Sequence, residues 1–316
     1  MKTPILYVVI PCYNEELCLD ETTKRLSSKF ESLIAANKIS KDSKIVYVDD
    51  GSKDKTWEKI ENFSKNVIGI KLAHNKGHQN ALIAGLMYAK DHSDITISLD
   101  ADLQDDINAI DEMIEKYQEG CQIVYGVRSE RKKDSRFKRT TAQGFYKVMK
   151  HLGVEIVYNS ADYRLMSKRA LEELSKYNEA NLFLRGIVPT LGFKTAIVKY
   201  ARAERFAGES KYPLKKMLNF AWDGITSFSI KPIRLILSIG LLIFISSLAI
   251  ILYSLVIKLI GLAVSGWTFI VCSIWLLGGL QMFSIGLIGE YVGKTYTETK
   301  NRPRYIIEQI KGTSNE

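Results

Sequence analysis

Five short apolar runs punctuate the first part of the chain: LYVVI (Leu6–Ile10), KIVYV (Lys44–Val48), VIGIKL (Val67–Leu72), ITISL (Ile95–Leu99) and QIVYG (Gln122–Gly126). Their length and β-branched content predict buried strands. Between them, apolar positions recur at helical spacing over Glu15–Ala36, Lys55–Ser64, Gln79–Lys90 and Ile107–Tyr117. Strands alternating with helices predict an α/β fold on a doubly wound, mostly parallel sheet. The first strand ends in IPCYNEE, with no G-x-G-x-x-G after it, so a dehydrogenase of the usual dinucleotide type is disfavoured.

The pattern changes near Pro232. Leu235 to Ile257 is uncharged and almost wholly apolar, and Leu259 to Gly289 is uncharged as well. A helix needs about 20 apolar residues to cross a bilayer, so a transmembrane hairpin of two helices is expected. Basic residues flank it: Lys211, Lys215, Lys216, Lys231 and Arg234 precede the first span, and Lys294, Lys300, Arg302 and Arg304 follow the second. Only Lys258 lies between them, so the positive-inside rule puts both ends in the cytoplasm. Before the first span, Leu214, Met217, Leu218, Ala221 and Trp222 recur at helical spacing, as in an amphipathic helix lying on a membrane. Gly286, Gly289 and Gly293 would allow close helix approach and self-association into a homo-oligomer. The expected organisation is a cytoplasmic α/β domain over 1–210, a juxtamembrane region over 211–232, two spans over 233–290 and a cytoplasmic tail over 291–316.

Composition narrows the partners. A net charge of +9 over 316 residues suggests an anionic one: nucleic acid, anionic lipid or a phosphorylated substrate. The basic residues gather beside the apolar spans, and no basic strand pair is interleaved with base-stacking aromatics, so nucleic acid is disfavoured. Cys12, Cys18, Cys121 and Cys272 show neither metal spacing nor a disulfide framework, which points to free thiols in a reducing compartment. MKTPILYVVIP has no long signal-type apolar core, so the N-terminal region is expected to stay cytoplasmic.

Candidate chemistry collects where strands end. DADLQDD, Asp100 to Asp106, follows the fourth apolar run. Acidic helix caps are common, but carboxylates with an amide at such an edge also suit Mg²⁺ or Mn²⁺ bridging a diphosphate. After the second run, VDDGSKDKT places Asp49 and Asp50 before a glycine turn, with Asp54 as a helix cap. One of the paired carboxylates would accept hydrogen bonds from a nucleobase or ribose. After the third, Asn75, Lys76 and Gly77 turn into a helix whose N-terminus, beside Lys76, suits a phosphate. His74 and His78 flank that glycine turn and lack a third ligand, so zinc is disfavoured. Together the edges suit a nucleotide diphosphate.

These residues resemble the family 2 glycosyltransferases with the GT-A fold. The matches are VVIPCYNEE, VDDGSKDKT, NKGHQNALIAGL and DADLQDD, in the family's order. SADYRLM (Ser160–Met166), RFAGESKYPLKK (Arg205–Lys216) and the tail IGEYVGKTYTETKNRPRYIIE look like the polyprenyl-phosphate branch. That branch includes bactoprenol glucosyltransferases and dolichyl-phosphate mannose synthases. The resemblance implies that Pro11, Tyr13 and Glu15 line the nucleotide with Asp49, Asp50 and Lys76. It implies that Asp100 and Asp102 serve the ribose–diphosphate and metal, with Gln104 close to the metal. Arg128 and Arg139 would grip the acceptor phosphate, helped by Arg205 and Lys211. Asp162 is either a catalytic carboxylate or an orienter of Arg164 or of a sugar hydroxyl.

The implied reaction is an inverting transfer of a sugar, glucose from UDP-glucose being the expected donor, to undecaprenyl or another polyprenyl phosphate at the cytoplasmic membrane face. A lipid phosphate is already anionic, so the main task is to position and neutralise two anions. Two spans per chain are few for a processive polysaccharide synthase, and the intact carboxylate set argues against a non-catalytic membrane adaptor that only binds a nucleotide sugar.

Overall fold

The computed structural model describes residues 3–64, 66–129, 157, 159–179, 183–203, 231–260 and 266–312. Two compact units emerge, one of residues 1–219 and 301–316 and one of residues 220–300.

The larger unit is an eight-stranded sheet. Its strands are β1 (Leu6–Cys12), β2 (Lys44–Asp49), β3 (Val67–Leu72), β4 (Ile95–Ser98), β5 (Ile123–Arg128), β6 (Ser160–Ser167), β7 (Thr195–Tyr200) and β8 (Ile307–Lys311). The spatial order is β7-β5-β6-β4-β1-β2-β3-β8. The β4–β1–β2–β3 block is parallel, as is the β5–β7 pair. β6 runs antiparallel to both its neighbours, and β8 closes the far edge antiparallel to β3. The sheet is thus mostly parallel, as the alternation predicts. Three strands went unread in the sequence, because β6 carries charges, β7 is an exposed edge and β8 lies beyond the apolar region.

β1 is buried along its whole length, as expected of a central parallel strand covered on both faces. Helices α1 (Leu19–Ala35), α2 (Thr56–Asn62), α3 (His78–His92) and α4 (Ala109–Gln118) follow β1 to β4 in turn. α1 buries Leu19, Thr22, Leu26, Phe30 and Leu33, a single face at three- and four-residue spacing. α3 comes close to the sheet because residue 85 is glycine: a Cβ there would lie 2.4 Å from Val9 Cγ1 and 2.7 Å from Val48 Cγ2. Two short helices, α5 (Lys168–Leu174) and α6 (Leu184–Thr190), follow β6.

The smaller unit contains α7 (Lys231–Leu259) and α8 (Trp267–Thr299). Among the described residues one segment, Leu276–Thr299, is long and apolar enough to cross a membrane. Pro232–Ile243 is a shorter apolar stretch of the first helix. Two long helices thus occupy the region read as a hairpin, and only the second contains a segment of membrane-crossing length and apolarity among the described residues. Residues 211–230, expected to include the amphipathic helix, lie outside the described residues. Added Cβ atoms at Gly286, Gly289 and Gly293 would meet nothing within 4 Å. Of the segment read as a tail, 291–316, the described residues 291–312 are the end of α8 followed by β8, whose residues pair with the sheet.

Candidate active site

Parallel pairing aligns the ends of β1, β2 and β3: Cys12 is level with Asp49, and Asp49 with Lys71. β4 joins them through Val9 opposite Ser98. Its antiparallel pairing with β6 sets Ser98 opposite Arg164, and continuing that register by two residues sets Asp100 opposite Asp162. Residues far apart in sequence thus meet at one edge, the place where ligands bind in open α/β sheets.

The loop after β1 is laced to the loop after β2. Ser52 Oγ accepts the Asn14 N–H at 2.9 Å, Thr56 Oγ1 accepts the Glu15 N–H at 2.9 Å, and Asn14 Oδ1 accepts the Lys53 N–H at 2.8 Å. Asp54 Oδ1 accepts the Thr56 N–H at 3.0 Å at the start of α2, the cap expected of it. Gly51, at φ 67°, lets this loop approach the next one: a Cβ there would lie 2.8 Å from the backbone nitrogen of Asn75. Pro11 is buried at the end of β1, and Tyr13 and Glu15 are half-buried beyond it.

Asp49 and Asp50 are both buried where β2 ends. Asp49 is fully buried, with Oδ1 accepting the Ser52 N–H at 3.2 Å. Asp50 accepts the N–H of Lys76 at 2.7 Å and of Gly77 at 2.8 Å, one on each oxygen. It therefore shapes the turn before α3, and two backbone donors offered by sequence to a phosphate are engaged inside the protein. Burial raises the pKa of both carboxyls, against the pull of these hydrogen bonds. The Lys76 side chain sits on this turn, half-buried.

The DADLQDD segment divides its acidic residues among different tasks. Asp102 Oδ1 accepts the Gln104 N–H at 3.1 Å around Leu103, whose φ is 58°. Asp105 is buried against Tyr200 Oη and Arg128, whose Nη2 stands 3.3 Å from it. Asp106 Oδ1 accepts the Asn108 N–H at 2.9 Å at the start of α4. Asp100 remains partly exposed, with burial and neighbouring carboxylates raising its pKa to about 6 while His78 opposes the shift. Gln104 accepts a hydrogen bond from Arg202, and the Ala203 N–H donates to its backbone oxygen at 2.9 Å.

Asp162 is the most heavily paired group. Arg164 Nη2 stands 2.8 Å from Oδ1, Arg185 Nη2 stands 3.1 Å from Oδ2, and Arg185 Nε reaches Oδ1 at 3.3 Å. His78 Nε2 lies 3.6 Å from Asp162 Oδ2 and 3.7 Å from Asp100 Oδ1. Burial disfavours charge on Asp162, but Arg185, His78 and Arg164 together hold it well below the usual carboxylate range. Burial also works against the imidazolium of His78, yet hydrogen bonding to Asp162 and the charge of Asp100 keep its pKa above the ordinary value. A carboxylate so paired is a weak proton acceptor at neutral pH. Its folded pKa is below its unfolded one, so its stabilisation is complete above the unfolded value and is lost as pH falls through the folded value. D162N is accordingly expected to be less stable at neutral pH and to lose less further stability between about pH 4 and pH 2 than the parent, as thermal melts across that range would show.

Of the acceptor-phosphate residues expected from sequence, Arg128 is described and pairs with Asp105 and Tyr200, while Arg139, Arg205 and Lys211 lie outside the described residues. Arg185 and Arg202 were not singled out. For Arg185 the available signal was a cation inside the apolar run LFLRGIVP. Among the described residues no three His, Cys, Asp or Glu side chains group to hold a metal ion. Asp102 supplies a hard carboxylate oxygen of the kind that suits a divalent cation, while the Gln104 side-chain oxygen is engaged by Arg202.

Carboxylates and cations gather at the carboxyl edge of a mostly parallel sheet, the edge where open α/β folds bind ligands. Sequence comparison gives the family: the profile described as Glycosyl transferase family 2 matches residues 7–175, and the chain belongs to that family. It is 55% identical to the uncharacterized glycosyltransferase YkoT of Bacillus subtilis, covering 96% of this chain and 91% of that one. It is 41% identical to the prophage bactoprenol glucosyl transferase homolog of Escherichia coli, over 96% of this chain and 98% of the other. The bactoprenol glucosyl transferase of Shigella phage SfII is 39% identical, with 96% and 97% covered. A weaker structural likeness, with a TM-score of 0.47 and 17% identity over 71% of this chain and 76% of the other, is to glucosyl-3-phosphoglycerate synthase from Mycobacterium tuberculosis, solved with Mn²⁺, UDP and phosphoglyceric acid.

Proposed function

We propose that this glycosyltransferase moves glucose from UDP-glucose to undecaprenyl phosphate, or a close polyprenyl phosphate, with inversion at the anomeric carbon. The observation that carries the reading is the match of about 40% identity to bactoprenol glucosyl transferases, which extends over both the sheet and the apolar C-terminal region. In this reading Pro11, Tyr13 and Glu15 line the nucleotide, and the buried Asp49 and Asp50 hold the loops that frame it. Asp100 faces the ribose–diphosphate, and Lys76 lies beside the phosphates. Asp102 and Gln104 would hold a Mg²⁺ or Mn²⁺, which would supply Lewis-acid stabilisation of the leaving diphosphate. Arg128, Arg139, Arg205 and Lys211 neutralise and position the acceptor phosphate, arginine being suited to this by its planar fork.

Both long C-terminal helices are inferred to cross the membrane, with the catalytic unit and both termini on the cytoplasmic side, as the flanking lysines and arginines require. The glycines at 286, 289 and 293 then offer a face for self-association within the bilayer. The lipid product would feed glucosylation of a cell-envelope glycan.

A panel of radiolabelled nucleotide sugars, offered to the full-length protein with undecaprenyl phosphate, tests the donor and the metal together. UDP-glucose is expected to label the lipid fraction, and EDTA to abolish labelling until Mg²⁺ or Mn²⁺ is restored. Labelling from a different nucleotide sugar alone would remove the glucose assignment, and labelling unaffected by EDTA would remove the metal.

A further inference from the structure

Asp162 stands on β6 with cations approaching from three elements. Arg164 lies two residues along the same face of the strand, Arg185 near the start of α6, and His78 at the first position of α3. Arg185 meets the carboxylate fork to fork, Nε to Oδ1 at 3.3 Å and Nη2 to Oδ2 at 3.1 Å. This is the geometry by which one planar group fixes the orientation of another. The Asp162 side chain is only 9% exposed, whereas that of Arg185 is 33% exposed. The carboxylate is therefore nearly covered, while a third of the Arg185 side chain is open to solvent. His78 Nε2 lies 3.6 Å from Asp162 Oδ2 and 3.7 Å from Asp100, the partly exposed carboxylate of the same edge.

We propose that Arg185 is a phosphate-binding residue of the transfer site, oriented by the carboxylate of Asp162, and that His78 braces that carboxylate from the side of α3. The inference rests on the transfer reaction proposed above and assigns Asp162 within it. Asp162 is a positioning residue that acts through Arg185; a lipid phosphate needs no base to attack. The phosphate gripped belongs either to the acceptor lipid or to the diphosphate of the donor, and the guanidinium chemistry is the same for both.

Kinetics of full-length R185Q and R185K in detergent separate the two sources. R185Q is expected to raise either the KM for undecaprenyl phosphate or the Kd for UDP by about tenfold to a hundredfold, the loss typical of a charge-assisted contact. R185K, which keeps the charge and loses the fork, should fall between R185Q and the parent. A rise confined to the lipid assigns the acceptor phosphate, and a rise confined to UDP assigns the diphosphate. D162N should raise the same constant, add little in the R185Q background, and keep the acid side of the pH profile of kcat. Unchanged constants in R185Q with only a lower Tm, or loss of the acid limb in D162N, would overturn the proposal. Should D162N fail to fold with Arg164 buried beside a neutral amide, the Arg185 variants, at a partly exposed side chain, decide the matter alone. Calorimetric binding of inorganic phosphate and diphosphate to the parent and R185Q reads the site without any acceptor. Weaker binding in R185Q supports the proposal whatever the acceptor is, and equal affinities for both anions refute it even where lipid transfer is observed.

Discussion

Asp102→Asn is expected to lower kcat/KM for sugar transfer by at least about a hundredfold while the melting temperature stays close to that of the parent. Asparagine keeps the side-chain oxygen that accepts the Gln104 N–H, so the turn through Leu103 survives. What disappears is one negative charge at the position proposed to hold the divalent cation. That charge matters most as the diphosphate departs, when the leaving group gains charge, so the loss belongs in the rate of transfer and in metal-dependent UDP affinity. Initial rates at several Mn²⁺ concentrations, beside a thermal melt, separate the two effects. A variant with activity within a few-fold of the parent would exclude Asp102 from holding the cation.

The second large effect is structural. Asp50 is buried, and its two oxygens accept the N–H groups of Lys76 and Gly77, which joins the loop after β2 to the start of α3. Asp50→Ala orphans both donors at once, at a cost of about 2–4 kcal/mol, given that an unsatisfied buried group costs ~1–3 kcal/mol and water reaches part of this turn. The expected consequence is a melting temperature lower on the order of 5–10 °C. Lys76 and His78 both hang from this turn, so UDP affinity should fall with stability. A melt unchanged within about 1 °C would contradict the bracing role assigned to Asp50.

The contrast between these two aspartates marks how far the sequence could be read. The central strands announce themselves because LYVVI, KIVYV and ITISL are short runs rich in apolar and β-branched residues, and Asp100 and Asp102 follow because they come directly after one such run. Asp50 looks equally available in the sequence, next to a glycine turn. Its actual partners are 26 and 27 residues away and depend on Gly51 allowing the two loops to touch. β6 stayed hidden for a related reason. SADYRLMS alternates buried charge with apolar residues, which in isolation resembles a loop, and it becomes a strand only with Arg185 and His78 supplied from other elements to pair with Asp162. β8 lies after the apolar region, where separation in sequence conceals its place beside β3. Local pattern thus reveals elements that bury uniformly apolar surface, and it fails where burial depends on a partner distant in the chain.

The most direct measurement of the central claim is mass spectrometry of the lipid formed when the purified full-length protein is given UDP-glucose, undecaprenyl phosphate and Mn²⁺. The account predicts a single product, the lipid phosphate carrying one hexose, in which the anomeric configuration is the reverse of the donor's. A polymer of hexoses, or free glucose with the lipid unmodified, would contradict it.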